Sequence, residues 1–402
     1  MSAVIAGYAR TPFVKFNGQF ASVPATALGA HAITAALERA GVAPHEVDQV
    51  VGGQVLQGGA GQNPARQSAV GAGIPLDVPA GTLNVVCLSG TEAVAQAARL
   101  IAAGEASIVV AVGQESMSLA PHAWSGSRVG RRYGAIELVD TLEHDGLTDA
   151  FEKRSMGSST EAFNGSLGLL REEQDAAAAA SHTRLAASLK FQAGEIAPFE
   201  VPGRRASTLV SEDDGLRADT TVESLAGLRP AFGSSGTITA GNSSQITDGA
   251  AALVLMSEEV AEARGVRALA RVLAHAFVAG PDVSLHGQPA RAIQAALAKA
   301  GRHTEELAAV EINEAFAAVS VHSTRALGVD EAIVNAHGGA IALGHPIGAS
   351  GARIVGTLAR RLAAGGAGTG SLGAGSLGAG SLGAAGICGG GGQGSAILLE
   401  AL

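Results

Sequence analysis

The chain has 402 residues and 56 glycines, about twice the usual glycine share, but no Gly-X-Y period, which excludes collagen. A hydrophobic share of 47% against a charged share of 16% provides for a large buried core and excludes a disordered polymer. A net charge of −9 without basic blocks excludes a grip on nucleic acid or an anionic membrane, and two cysteines, Cys87 and Cys388, exclude a disulfide scaffold or a CxxC zinc site.

The predicted elements alternate. Val4–Tyr8 reads as a strand and Ala25–Ala40 as a helix that starts after Pro24. Thr82–Val86 is a predicted strand, Ser89–Ala103 a helix and Ser107–Val112 a strand. These short apolar runs lack polar alternation, as expected of strands covered on both faces. Residues 117–246 are richer in Ser, Gly, Arg and acidic residues and read as a loop-rich insertion with one helix, Arg171–Leu189. The alternation then resumes with strand Ala250–Met256, helix Ala290–Ala300, strand Ala332–Val334 and helix Gly351–Ala363. Alternating elements of this kind imply α/β layers, and two or three domains are expected for the length. No apolar run reaches the ~18–20 residues that span a bilayer. The opening residues show no leader pattern and the final Leu-Glu-Ala-Leu is no peroxisomal signal, so a cytoplasmic protein is expected.

Two stretches share a plan. Cys87-Leu-Ser-Gly precedes a helix, a strand and Gly113; His345-Pro-Ile-Gly-Ala-Ser-Gly precedes a helix, Ile387-Cys388 and a glycine run. An internal duplication is expected, against the alternative of coincidence among Gly- and Ala-rich loops. Residues 370–384 are three copies of Gly-Ser-Leu-Gly-Ala, which generate G-x-G-x-x-G three times. A dinucleotide fingerprint needs a strand before it and a helix after it. Here a helix precedes and a strand follows, so a pliable loop is expected instead. No lysine follows a glycine, which rules out a P-loop.

Cys87 lies between a buried strand and a helix start, where partial positive charge favours thiolate. The alternative is an ordinary buried cysteine. His345, fixed by Pro346 and surrounded by glycine, is placed to accept a proton from it. Cys388 precedes Gly389–Gly392, a turn able to aim several N–H groups at one oxyanion, or else simply ends a buried strand. Asn313, in Asn313-Glu314-Ala315-Phe316, is either a water-holding amide or a helix cap.

These segments resemble the thiolases. Ala9-Arg10-Thr11-Pro12-Phe13, Gly61 to Gln67, Gly236-Thr237 to Ser244, Asp248 to Ala251, Asn313 to Phe316, the Gly-His-Pro segment and the Cys388 glycine run carry the resemblance along nearly the whole chain. It implies an α/β thiolase-like fold of two similar layered α/β/α halves. The first is 1–116 with 247–268 and the second is 269–402, with a Gly-rich insertion at about 365–385. The loop domain 117–246 would cover coenzyme A and tie protomers together. It implies an acyl-CoA:acetyl-CoA C-acyltransferase working by reversible Claisen condensation and thiolysis, on acyl-CoA and CoA substrates, with no covalently bound cofactor, no metal, no nucleic acid and no membrane. Cys87 would become acylated, His345 would activate it and Cys388 would act on the alpha carbon of acetyl-CoA. Asn313, through a water, and His345 would form one oxyanion hole, and the N–H groups of Cys87 and Gly390 another. Arg217, Ser224, Phe232, Ala240, Ser244, Ala315 and Phe316 would contact CoA, and a homodimer or homotetramer is expected.

Some residues depart from the family pattern. Ser155 stands where a histidine is usual before Met156-Gly157, Phe163–Leu170 is atypical, and Thr91 replaces an apolar residue. Two other readings remain at this point: a ketoacyl-synthase-like condensing enzyme and a non-catalytic CoA- or lipid-binding thiolase-like protein. The first normally carries Cys-His-His, whereas here the third position is Cys388.

Overall fold

The computed structural model describes residues 1–365 and 377–402. The first half contributes strands β1 (Ala3–Arg10), β2 (Gln49–Gly53), β3 (Ala80–Leu83), β4 (Ile108–Glu115) and β5 (Thr247–Ser257). With them come helices α1 (Ala25–Ala40), α2 (Pro64–Gly71) and α3 (Ser89–Ala102). Between β4 and β5 lie α4 (Met156–Asn164), α5 (Arg171–Ala187), α6 (Leu189–Ala193) and α7 (Val222–Ala226), where the sequence suggested a single helix. The second half contributes β6 (Ala270–Ala279), β7 (Leu307–Ile312), β8 (Leu382–Gly389), β9 (Gln393–Ala401), α8 (Gln288–Ala300), α9 (Ala317–Leu327) and α10 (Ser350–Gly365).

The strands follow one path, β7-β8-β9-β6-β1-β5-β4-β2-β3. Within it the expected duplication is plain. The first half runs third, second, fourth, fifth, first in chain order. Its parallel pairs are β3·β2 and β2·β4 and its antiparallel pairs β4·β5 and β5·β1. The second half repeats this: β7·β8 is parallel, and β8·β9 and β9·β6 are antiparallel. The halves meet where Ala3–Ile5 of β1 pairs antiparallel with Ala270–Val272 of β6.

Ala332–Val334, expected as a strand, is not one. Glu331–Ile333 form a 3-10 turn, and Val334 alone makes a parallel bridge to Val310. The cause is Asn335, whose side chain accepts the Ile312 N–H and donates to the Ile312 C=O, both at 2.8 Å. A side-chain amide thereby occupies the place of a strand. The Gly-Ser-Leu-Gly-Ala stretch was expected to be loop throughout. Its part up to 376 lies outside the described residues, but from Leu382 it is strand β8. Leu382 and Ala384 bury into the second-half core, which draws the last copy into the sheet.

Helix α1 covers the outer face of the first half, α8 that of the second, and α3 and α10 pack on each other between them. The central layer joins Val94 and Ile101 of α3, Val355 and Leu358 of α10, and inward residues of both halves, such as Leu253 and Ile397, in one core. Strands β1, β4, β5 and β8 are buried along their whole length, as their unbroken apolar runs required. The intervening segment is tied to β1 by Arg10. Its buried guanidinium bonds Glu195 at 3.0 Å, Asp213 at 2.6 and 2.8 Å and Gln192 at 2.8 Å.

Candidate active site

The turn from β3 to α3 carries Cys87. Val86 before it has φ 51, a left-handed conformation that a β-branched side chain resists. Side chains hold it there. Asn84 Oδ1 accepts the Val86 N–H at 3.0 Å, and Ser89 Oγ accepts the Val85 N–H at 2.9 Å while donating to Val86 O at 2.6 Å. Cys87 is half-buried. Burial pushes its thiol up to about 12, against the pull of the Cys87 and Gly390 N–H groups, and the Glu115 charge adds to the push. Desolvation thus opposes the pull toward thiolate expected from the helix start, and the direction at this site is upward.

His345 comes from the other half. Its N–H donates to Gln245 O at 3.1 Å and lies 3.2 Å from Thr247 Oγ1. Its Nδ1 is 2.6 Å from Ser350 Oγ, and Ser350 donates its own proton to Pro346 O at 3.0 Å. With the Ser350 proton on Pro346 O, Nδ1 carries the ring proton and Nε2 turns its lone pair toward Asn313. Asn313 Nδ2 lies 3.4 Å from that Nε2, and Asn313 Oδ1 has no partner among the described residues. Burial, helped by the Arg353 charge, holds the imidazole down to about 3, so it stays neutral and basic in form.

Cys388 is buried near the end of β8. The turn into β9 runs through Gly391 and Gly392 with φ 77 and 67, a path that favours glycine. Burial pushes the Cys388 thiol above its usual range, and the Cys87 charge adds to this.

Cys87, His345, Cys388 and Gly390 all line one cleft of about 270 Å³. Its remaining wall is mainly apolar, with Met117, Leu147, Met156, Leu285 and Ile347. Phe232, Ser244, Ala315 and Phe316 line it too, the two phenyl rings meeting edge-on with centroids 6.3 Å apart. Asn313 stands behind His345. Arg217, Ser224 and Ala240 are exposed and outside the lining; the Arg217 N–H donates to His182 Nδ1 at 3.2 Å and Ser224 belongs to the cap of α7. Ser155 lines the cleft, so the departure at that position faces the site. A larger groove of about 480 Å³ between α5 and α9 is lined by Glu173, Arg184 and Arg325, with no cysteine or histidine in its lining; the chemistry selects the smaller cleft. Sequence reasoning missed Ser350 and Glu115. The Ser five residues after His345 was a usable signal for the first. Nothing local marked Glu115.

The thiolase N-terminal domain model matches residues 3–259 and the thiolase C-terminal domain model residues 266–401. The chain belongs to the thiolase family. Among this family, the chain is 50% identical to a probable acetyl-CoA acetyltransferase of Mycolicibacterium smegmatis, over 99% of this chain and 100% of that one. It is 47% identical to an acetyl-CoA acetyltransferase of Pseudomonas aeruginosa, over 98% of each. The crystal structure of the Bacillus anthracis acetyl-CoA acetyltransferase superposes with a TM-score of 0.93 at 37% identity, covering 100% of this thiolase and 99% of that chain.

Proposed function

We propose that this thiolase is an acetyl-CoA C-acyltransferase that uses Cys87 as nucleophile, His345 as its base and Cys388 as the acid–base group at the alpha carbon. The observation that carries this is the convergence of the three side chains, two from one half and one from the other, on a single apolar cleft. In this reading His345 Nε2 takes the Cys87 proton as sulfur attacks the thioester carbonyl. The new S–C bond forms, the CoA sulfur leaves, and His345 returns the proton to it. Acyl-Cys87 carries neither proton nor charge. Cys388, its own proton given up to solvent, then takes a proton as thiolate from the alpha carbon of acetyl-CoA; the carbanion attacks the acyl group, the C–S bond to Cys87 breaks, and the departing Cys87 thiolate takes the proton now on Cys388. The N–H groups of Cys87 and Gly390 serve one oxyanion, and His345 with Asn313 the other.

Phe232, Ser244, Ala315 and Phe316 would hold the pantetheine end of CoA, with Arg217, Ser224 and Ala240 placed for its outer parts. We assign the halves and the loop domain 117–246 with the boundaries given above. A homodimer or homotetramer is supported by Val129 and Tyr133, which are 94% and 93% exposed, with Ile136 and Leu138 nearby. Among the described residues no helix is long and apolar enough to cross a membrane, and a cytoplasmic compartment is proposed. The decisive experiment is Cys388→Ser incubated with acetyl-CoA. Mass spectrometry should find an acetyl group on Cys87 while condensation and thiolysis stall; a variant that forms no adduct would overturn the division of roles.

A further inference from the structure

We infer that Glu115 is a positioning residue that ties the cysteine turn of one half to the histidine loop of the other. It ends β4 and is wholly buried. Its carboxylate accepts three backbone N–H groups: Val55 at 3.0 Å and Gly348 at 3.0 Å on Oε2, and Leu56 at 3.1 Å on Oε1. Gly348 lies three residues beyond His345. On the other side the link continues, because Val55 O accepts from Asn84 Nδ2 at 3.2 Å and Asn84 Oδ1 accepts the N–H of Val86, next to Cys87. One side chain thus meets the histidine segment at Gly348 directly and the cysteine turn through Val55 and Asn84, and the two segments come from opposite halves. The contact is close: a Cβ at Gly348 would stand 2.7 Å from Gln114 O and 2.8 Å from Glu115 Oε2.

Packing alone does not require a charge here. Taking a carboxylate out of water costs several kcal/mol, and three N–H bonds are the compensation. Burial pushes the Glu115 carboxyl up to about 7; the Val55, Leu56 and Gly348 N–H groups oppose this, and Asp248 on β5 reinforces it. Cys87 is the other titratable group coupled to it. A proton on the carboxyl sets an O–H against N–H donors, so the tie is firm above about 7 and loosens below. The sign for stability is the opposite. A carboxyl raised above its usual 4.5 binds its proton more readily folded than unfolded, so ionising Glu115 lowers stability as pH rises from there through 7. The group therefore trades stability for the ordering of two loops.

The role rests on the assignment of Cys87 and His345 above, and the test separates the two. In full-length Glu115→Gln, thiolysis of acetoacetyl-CoA should lose about tenfold or more in kcat while KM for CoA stays within about twofold. The rise of wild-type kcat through about pH 7 should also disappear. Glu115→Asp, which keeps the charge, should retain that rise at reduced kcat. Glu115→Gln with wild-type kcat, or with the rise intact, would overturn the proposal. If Glu115→Gln does not fold, the wild-type profile decides, since a flat kcat across about pH 6 to 8 also refutes it. Wild-type enzyme that forms no acetyl adduct on Cys87 would sink the underlying assignment instead.

Discussion

Ser350 Oγ sits 2.6 Å from His345 Nδ1 and 3.0 Å from Pro346 O, which orients the ring. Donation to Pro346 O makes it an acceptor toward Nδ1 and sets the tautomer with the proton there. Ser350→Ala leaves the ring free to take either tautomer. The expected loss is about 1–2 kcal/mol, or about tenfold in kcat, with KM unchanged, measured by steady-state thiolysis. Cys87 makes a pH prediction. Its thiol is pushed up to about 12, so iodoacetamide should inactivate the enzyme ever faster through the alkaline range. A plateau between about pH 6 and 8 would mean a thiolate at rest and contradict that direction. At this scale Cys87, His345 and Cys388 were readable from local glycine and proline, but the state of their protons was not. The helix start suggested a lowered thiol, and only the packing around Cys87 shows that desolvation wins.

The turn from β3 to α3 is the element that carries Cys87, the proposed nucleophile. Val86 at φ 51 stores strain of order 1–3 kcal/mol, held by Asn84 and Ser89. Val86→Gly removes that strain and adds about 0.5–1 kcal/mol of unfolded-chain entropy, so Tm should hold or rise. The turn should also loosen and kcat should fall several-fold. A lower Tm with unchanged kcat would show that the strain has no catalytic use. Helices α1 and α3 were legible within a residue because Pro24 and the Ala-rich apolar stripe mark them. The failure at Ala332–Val334 has a specific cause: Asn335 reaches Ile312 from outside the segment, and no window on the sequence contains both.

On the scale of the molecule, α3 and α10 form a layer shared by both halves. Leu358 lies fully buried in it. Leu358→Ala should cost about 2–5 kcal/mol. Calorimetry should show one unfolding transition at a lower Tm, because neither half can expose this layer alone. Two separated transitions would mean that each half folds on its own core. The duplication also explains the site. Cys87 and His345 precede equivalent helices, α3 and α10, so packing those helices together brings the two loops to one place.

The sequence by itself pointed to the alternating α/β layers, the two related halves and the three side chains that line one cleft. Each of these is written in local pattern: apolar runs, a proline, and glycines beside a nucleophile or a base. Tertiary structure alone decided that the halves join through β1 and β6, that burial pushes the Cys87 thiol up, and that Glu115 accepts N–H groups from Val55, Leu56 and Gly348. These depend on groups far apart in the chain, such as Val55 with Glu115, 60 residues apart, and Glu115 with Gly348, 233 apart. Burial and long-range hydrogen bonds exist only once the layers close.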